Sequence, residues 1–118
     1  MDREYREADV GLHRLLWPDD KIYRAQDGDR IYRQEGKQVW FDRLPEYWTT
    51  YAGAGAVIDR MRERRYDLTA HVNKYGTMAS FKLADGDGHV PIVGRDTFSE
   101  AVCAAAEAVL TIERGETK

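Results

Sequence analysis

Covalent catalysis needs a thiol or hydroxyl beside a base, and this chain offers one cysteine, Cys103, with three histidines, His13, His71 and His89. Cys103 sits among alanines in a stretch of helical periodicity, and the histidines fall in separate elements, so the local sequence sets up no Cys–His pair. A Cys103–imidazole pair made through the fold stays open, while a free cysteine in this setting reads as a small buried hydrophobe. Asp85-Gly86-Asp87-Gly88-His89 puts two carboxylates and an imidazole in one stretch, and Asp27-Gly28-Asp29 puts two carboxylates in another. Neither carries the later glutamate or the ligand spacing of a calcium loop, so both read as turns. Gly53 and Gly55 lie inside a helical pattern with no lysine in the place a phosphate loop requires. The sequence therefore predicts a protein that is not an enzyme, with no catalytic residue, no metal site and no cofactor.

Composition narrows the class further. At 118 residues, 42% hydrophobic and 33% charged, the chain fits one domain with a real core and a solvated surface. The formal net charge of −3 is spread over interspersed signs, so no strong field favours nucleic acid or a membrane surface. No apolar run approaches a membrane span. The opening MDREYREADV lacks the apolar stretch of a secretion signal, and one cysteine cannot make an internal disulfide. The expected compartment is the cytoplasm.

The elements that must position these side chains follow from periodicity. Tyr5, Ala8, Leu12, Leu15 and Leu16 share one helical face over residues 2–17, and Pro18 ends that helix. Ile22-Tyr23-Arg24 and Ile31-Tyr32-Arg33 echo each other across an Asp27-Gly28-Asp29 turn. With Val39-Trp40-Phe41 they predict two or three short strands, or a long loop laid on the domain. After Pro45, Thr49 or Thr50 caps a helix reaching about Arg65, with Tyr51, Ala54, Ile58 and Met61 inward and small residues that let its backbone approach a sheet. Residues 66–73 alternate, Asn73-Lys74-Tyr75-Gly76 turns the chain, and Ala79, Phe81 and Leu83 face inward on the next strand. A third strand over Val90–Val93 should be an edge, because Pro91 has no amide to donate. Thr97-Phe98-Ser99-Glu100 has capping-box spacing and opens the last helix, and Arg114–Lys118 should fray. The predicted class is α+β, an antiparallel meander between helices in an α-β-α sandwich, with a short N-terminal helix and β-hairpin region. Within a single domain, residues 1–43 hold the N-terminal helix and meander, 44–112 the helix–three-strand–helix sandwich, and 113–118 the tail.

Two sets of residues suggest recognition. Helix, three antiparallel strands and helix is the order of a double-stranded RNA-binding domain, yet the last helix begins Asp96-Thr97-Phe98-Ser99-Glu100, which repels phosphate. The basic cluster Arg60, Arg62, Arg64 and Arg65 lies at the end of the preceding helix, where it complements the helix dipole. Nucleic acid is thus disfavoured as a partner. Aromatic residues are plentiful for so small a chain, and tryptophan, tyrosine and arginine dominate binding hot spots. The residues expected to bind a partner are Trp40, Tyr47, Trp48, Lys74, Tyr75, Arg62 and Arg65. The competing reading makes the aromatics plugs at the sandwich edges.

The run Pro45-Glu46-Tyr47-Trp48-Thr49-Thr50, the Ala-rich helix ending Asp59-Arg60-Met61-Arg62-Glu63-Arg64, the meander, and Asp96-Thr97-Phe98-Ser99-Glu100-Ala101-Val102-Cys103-Ala104-Ala105-Ala106 together resemble the phage ABA sandwich domain family. Leu15-Leu16-Trp17 matches the short opening helix common in that family. Trp48-Thr49-Thr50 and Gly53-Ala54-Gly55 depart from its usual pattern. The resemblance implies helix, sheet and helix layers and a phage or prophage origin, and no fixed activity. The expected function is that of a small phage-encoded binding protein acting on a host or phage protein, an anti-defence inhibitor being the specific version. A nucleotide-sequestering protein and a weak nucleic-acid-binding module are the alternatives, and a homodimer is a further expectation.

Overall fold

The computed structural model describes residues 3–84 and 90–113, with the side chains described from Tyr5. The expected Asp85–His89 turn and the Arg114–Lys118 tail lie outside that range. The order is α1 (Arg3–Leu16), β1 (Lys21–Tyr23), β2 (Arg30–Glu35), β3 (Gln38–Arg43), α2 (Tyr51–Glu63), β4 (Tyr66–Asn73), β5 (Gly76–Leu83), β6 (Val93–Arg95) and α3 (Phe98–Glu113). The class is α+β: the described residues form three helices and two antiparallel three-stranded sheets, β1-β2-β3 and β4-β5-β6.

One apolar core joins α1, α2, α3 and the β4–β6 sheet, drawing on Leu12, Leu16, Val57, Met61, Phe81, Val102 and Leu110. The layers follow from α3. Ala101 through Ala106 are all buried, as in a helix that is apolar on every side. Its small side chains let α3 lie between β5 and β6 on one side and α1 and α2 on the other. The middle layer is therefore α3, where helix–sheet–helix layering puts the sheet. The opposite face of the β4–β6 sheet is open, with Thr69, His71, Met78 and Lys82 exposed.

Helix ends are closed by side chains. Thr50 Oγ1 accepts from the Gly53 amide at 2.9 Å, and Thr97 Oγ1 accepts from the Glu100 amide at 3.2 Å. Thr97 also donates to the Glu100 carboxylate, so the capping box closes through the hydroxyl. The carbonyls that end α1 receive Arg60 Nε (Leu16, 2.9 Å) and Arg64 (Leu15, 3.2 Å). Gly53 lies against backbone rather than against a sheet. A Cβ there would sit 2.3 Å from the Glu46 carbonyl oxygen and 2.6 Å from Tyr47 Cα. The third strand falls three residues later than the proline pattern places it, over Val93–Arg95, and it is an edge.

The β1–β3 sheet resolves the echo in the sequence, because Ile22 and Ile31 are cross-strand partners. Gly28 (φ 125°) and Gly36 (φ 61°) make its two turns. No residue from 18 to 43 joins the apolar core. The sheet is held instead by charge. Asp29, 1% exposed at its side chain, takes Arg6 and Arg24, and its carbonyl accepts from the Leu44 amide. Asp20 accepts both arms of Arg33, at 2.8 and 2.6 Å.

Candidate functional site

The N-termini of α2 and α3 lie side by side, tied by Ser99 Oγ donating to the Thr50 carbonyl at 2.9 Å. Just past the caps, the first residue of each helix is aromatic. Tyr51 is 80% exposed, and its ring centroid is 6.1 Å from that of Phe98, which is half-buried. The β4–β5 hairpin runs beyond the helices on the same side. Its tip is fixed by the Tyr75 amide donating to Asn73 Oδ1 (2.8 Å) and by Gly76 at φ 136°. The overhang carries Val72, 65% exposed, and Tyr75, 82% exposed, with the Lys74 ammonium 5.1 Å from the Tyr75 ring centre.

Two cavities adjoin here. One of about 280 Å³ lies between Tyr5, Trp48 and Tyr51, and one of about 470 Å³ lies between Tyr51, Val72 and Tyr75. Tyr51, Thr97 and Phe98 form a wall of both, so together they make one groove lined by rings. Such a groove offers rigid apolar area with hydroxyls and two capped helix starts beside it, which suits an extended protein segment.

The residues expected to bind a partner are dispersed. Lys74 and Tyr75 lie in the groove. Trp48 edges it but is half-buried, its amide donating to Asp9 Oδ1 (3.1 Å) and its indole to the Ala8 carbonyl (3.2 Å). Tyr47 is 1% exposed and is withdrawn from any surface role, because its hydroxyl meets His13 Nδ1 at 2.6 Å inside the molecule. Trp40 is 44% exposed on β3, in the other sheet. Arg62 and Arg65 are exposed at the far end of α2. Tyr51, which periodicity turns inward, and Val72 and Phe98 are the groove residues the sequence did not single out. Periodicity assigns a face but not how far an element overhangs the layer beneath it.

Cys103 and His13 are enclosed. Cys103 is fully buried, its thiol donating to the Tyr47 carbonyl at 3.2 Å, and burial pushes its pKa far above the ordinary thiol range. Burial likewise pushes the Tyr47 phenol far up. His13, 1% exposed, joins Tyr47 to Asp20 (Nε2 to Oδ2, 2.8 Å), and burial lowers its pKa against the pull of that carboxylate. Trp17 stacks on His13 at 4.8 Å, with Arg33 and Arg60 each 5.3 Å from its ring centre. This Arg33–Asp20–His13–Tyr47 chain ties β2, the β1 approach, α1 and the segment before α2 together. Among the described residues, no three His, Cys, Asp or Glu side chains converge as metal ligands. No helix among them is long and apolar enough to cross a membrane. Compared with known protein families, characterised proteins and solved structures, the chain matches none.

Proposed function

We propose that this chain is a protein-binding module that grips an extended segment of a partner in the Tyr51–Phe98–Tyr75 groove. The observation that carries this reading is the pair of tyrosines, 80% and 82% exposed, flanking one ring-lined groove at the rigid ends of two helices. Exposed rings on rigid supports are costly to leave in water and supply most of the energy at protein interfaces. On the motif resemblance noted in the sequence, we propose as partner a host or phage protein in the cytoplasm of a phage-infected cell, with blocking of a host defence protein as the specific form.

Panning a random peptide library against the protein tests the groove. Enriched peptides should lose binding to Tyr51→Ala and Tyr75→Ala while keeping it for Trp40→Ala. Peptides that bind all three variants equally would refute the assignment. A second copy is the other candidate partner, because among the described residues β4 pairs with β5 alone and leaves one edge of its eight residues without a strand. Light scattering that reports a monomer at high concentration would remove that reading.

A further inference from the structure

A cavity of about 490 Å³ that shares no residue with the groove opens between α1, the β1–β2 turn and the segment leading to α2. Its walls include Asp9, Asp29 and Arg6, with Asp27, Arg43 and Glu46 toward the surface. Most of these charges are already matched. Arg6 pairs with Asp29, and Arg43 donates to the Asp27 carbonyl at 2.7 Å. Asp9 is different. Its residue is 1% exposed, Oδ1 accepts from the Trp48 amide at 3.1 Å, and Oδ2 is buried with no hydrogen-bond partner among the described residues. A carboxylate oxygen withdrawn from water without a donor is expensive, and Asp9 belongs to the lining of a cleft large enough for a donor to enter. Of its four carboxylates, Asp29 is paired with Arg6 and Arg24 and Asp27 with Arg30 and Arg43, which leaves Asp9 and Glu46 without an ion pair among the described residues.

We propose that this cleft binds a cationic donor, a guanidinium or primary ammonium, which donates to Asp9 Oδ2 and is held at the mouth by the Glu46 carboxylate. The charged or titratable groups around Asp9 are Arg6 on its own helix, Glu46 and Tyr47 before α2, Asp27, Asp29 and Arg43 beside the first sheet, and Cys103 on α3. Burial favours the protonated acid at Asp9, with its pKa pushed up to about 6, so an entering cation competes with a proton and binds better above that pH.

Calorimetric titration at pH 7.5 with agmatine, butylammonium and neutral butylurea tests the site. In a second arm, an arginine-containing tripeptide and its citrulline counterpart separate a free cation from a side chain of a partner protein. The cations should bind and the neutral compounds should not. Asp9→Asn should weaken binding at least tenfold, and Glu46→Gln a few-fold. Should Asp9→Asn fail to fold, the Asp9 carboxyl carbon resonance of the unaltered protein gives the second readout. Its titration midpoint should fall by about a pH unit or more on adding agmatine. Absence of cation binding at 20 mM, equal binding by Asp9→Asn or by butylurea, or an unmoved midpoint would each overturn the proposal.

Discussion

Replacing Asp9 with asparagine should alter stability in a way that depends on pH, with a size set by the burial of one carboxyl group. Desolvation pushes its pKa from 3.8 to about 6, a nearby Glu46 adding to the rise and the Trp48 and Tyr47 amides partly offsetting it. Between those two values the folded protein holds a proton that the unfolded chain has released. Stability from this group is therefore highest in acid and declines as pH rises toward 6, after which it is level. A shift of about two units corresponds to about 3 kcal/mol at 1.36 kcal/mol per unit, of which roughly 2 kcal/mol falls between pH 4 and pH 7. Asparagine cannot titrate. Its amide nitrogen takes the place of the unpartnered Oδ2 and costs about 1–3 kcal/mol, but that cost is the same at every pH. His13 works in the opposite sense, since burial lowers its pKa and stability is lost as pH falls through about 6.5. It titrates in both proteins and cancels in the comparison. Urea unfolding followed by tryptophan fluorescence at several pH values, without added cations, measures the difference. The variant should gain roughly 2 kcal/mol on the parent between pH 4 and pH 7. A difference constant to within about 0.5 kcal/mol would refute the claim that desolvation of Asp9 governs its titration.

Other perturbations have equally specific outcomes. Gly53→Ala drives a Cβ into the backbone at Glu46 and Tyr47 and should cost about 2 kcal/mol or more, whereas Gly55→Ala, with nothing within 4 Å, should stabilise by about 0.5–1 kcal/mol; thermal midpoints moving in opposite directions check the pair. Tyr47→Phe removes the hydroxyl facing His13 Nδ1 and should cost about 1–3 kcal/mol by urea unfolding. Cys103 should resist a thiol-specific disulfide reagent in the native protein and react only as fast as the molecule opens.

What was legible in the sequence was whatever apolar spacing encodes. The three helices, the capped start of α3 at Thr97 and the Asn73–Gly76 turn all follow from local pattern. The order of layers does not, because a stripe tells which face is apolar and not what covers it. The unbroken apolar run Ala101–Ala106 is the sign in the sequence that fits a helix buried on all sides. The β1–β3 sheet is legible only as strands or loop, since partners such as Arg6–Asp29 and Arg33–Asp20 are distant pairs with no periodicity. The same blindness hid the buried roles of Asp9 and His13, which occupy the inward side of α1 beside Leu12 and Leu16. Tyr51 and Phe98 obey the helical stripe, yet each is the first residue of its helix and lines the hollow beside the hairpin tip.

That residues 18–43 lend nothing to the apolar core has a consequence for how the molecule opens. A sheet tied mainly by guanidinium–carboxylate pairs can detach while the helices stay packed, so it forms a cooperative unit of its own with a lower opening free energy. Its amides should exchange with deuterium well ahead of those in α3, whose protection reports global unfolding. Arg33 then acts as the latch between the two units, because its release from Asp20 frees the sheet and loosens the imidazole that pins Tyr47.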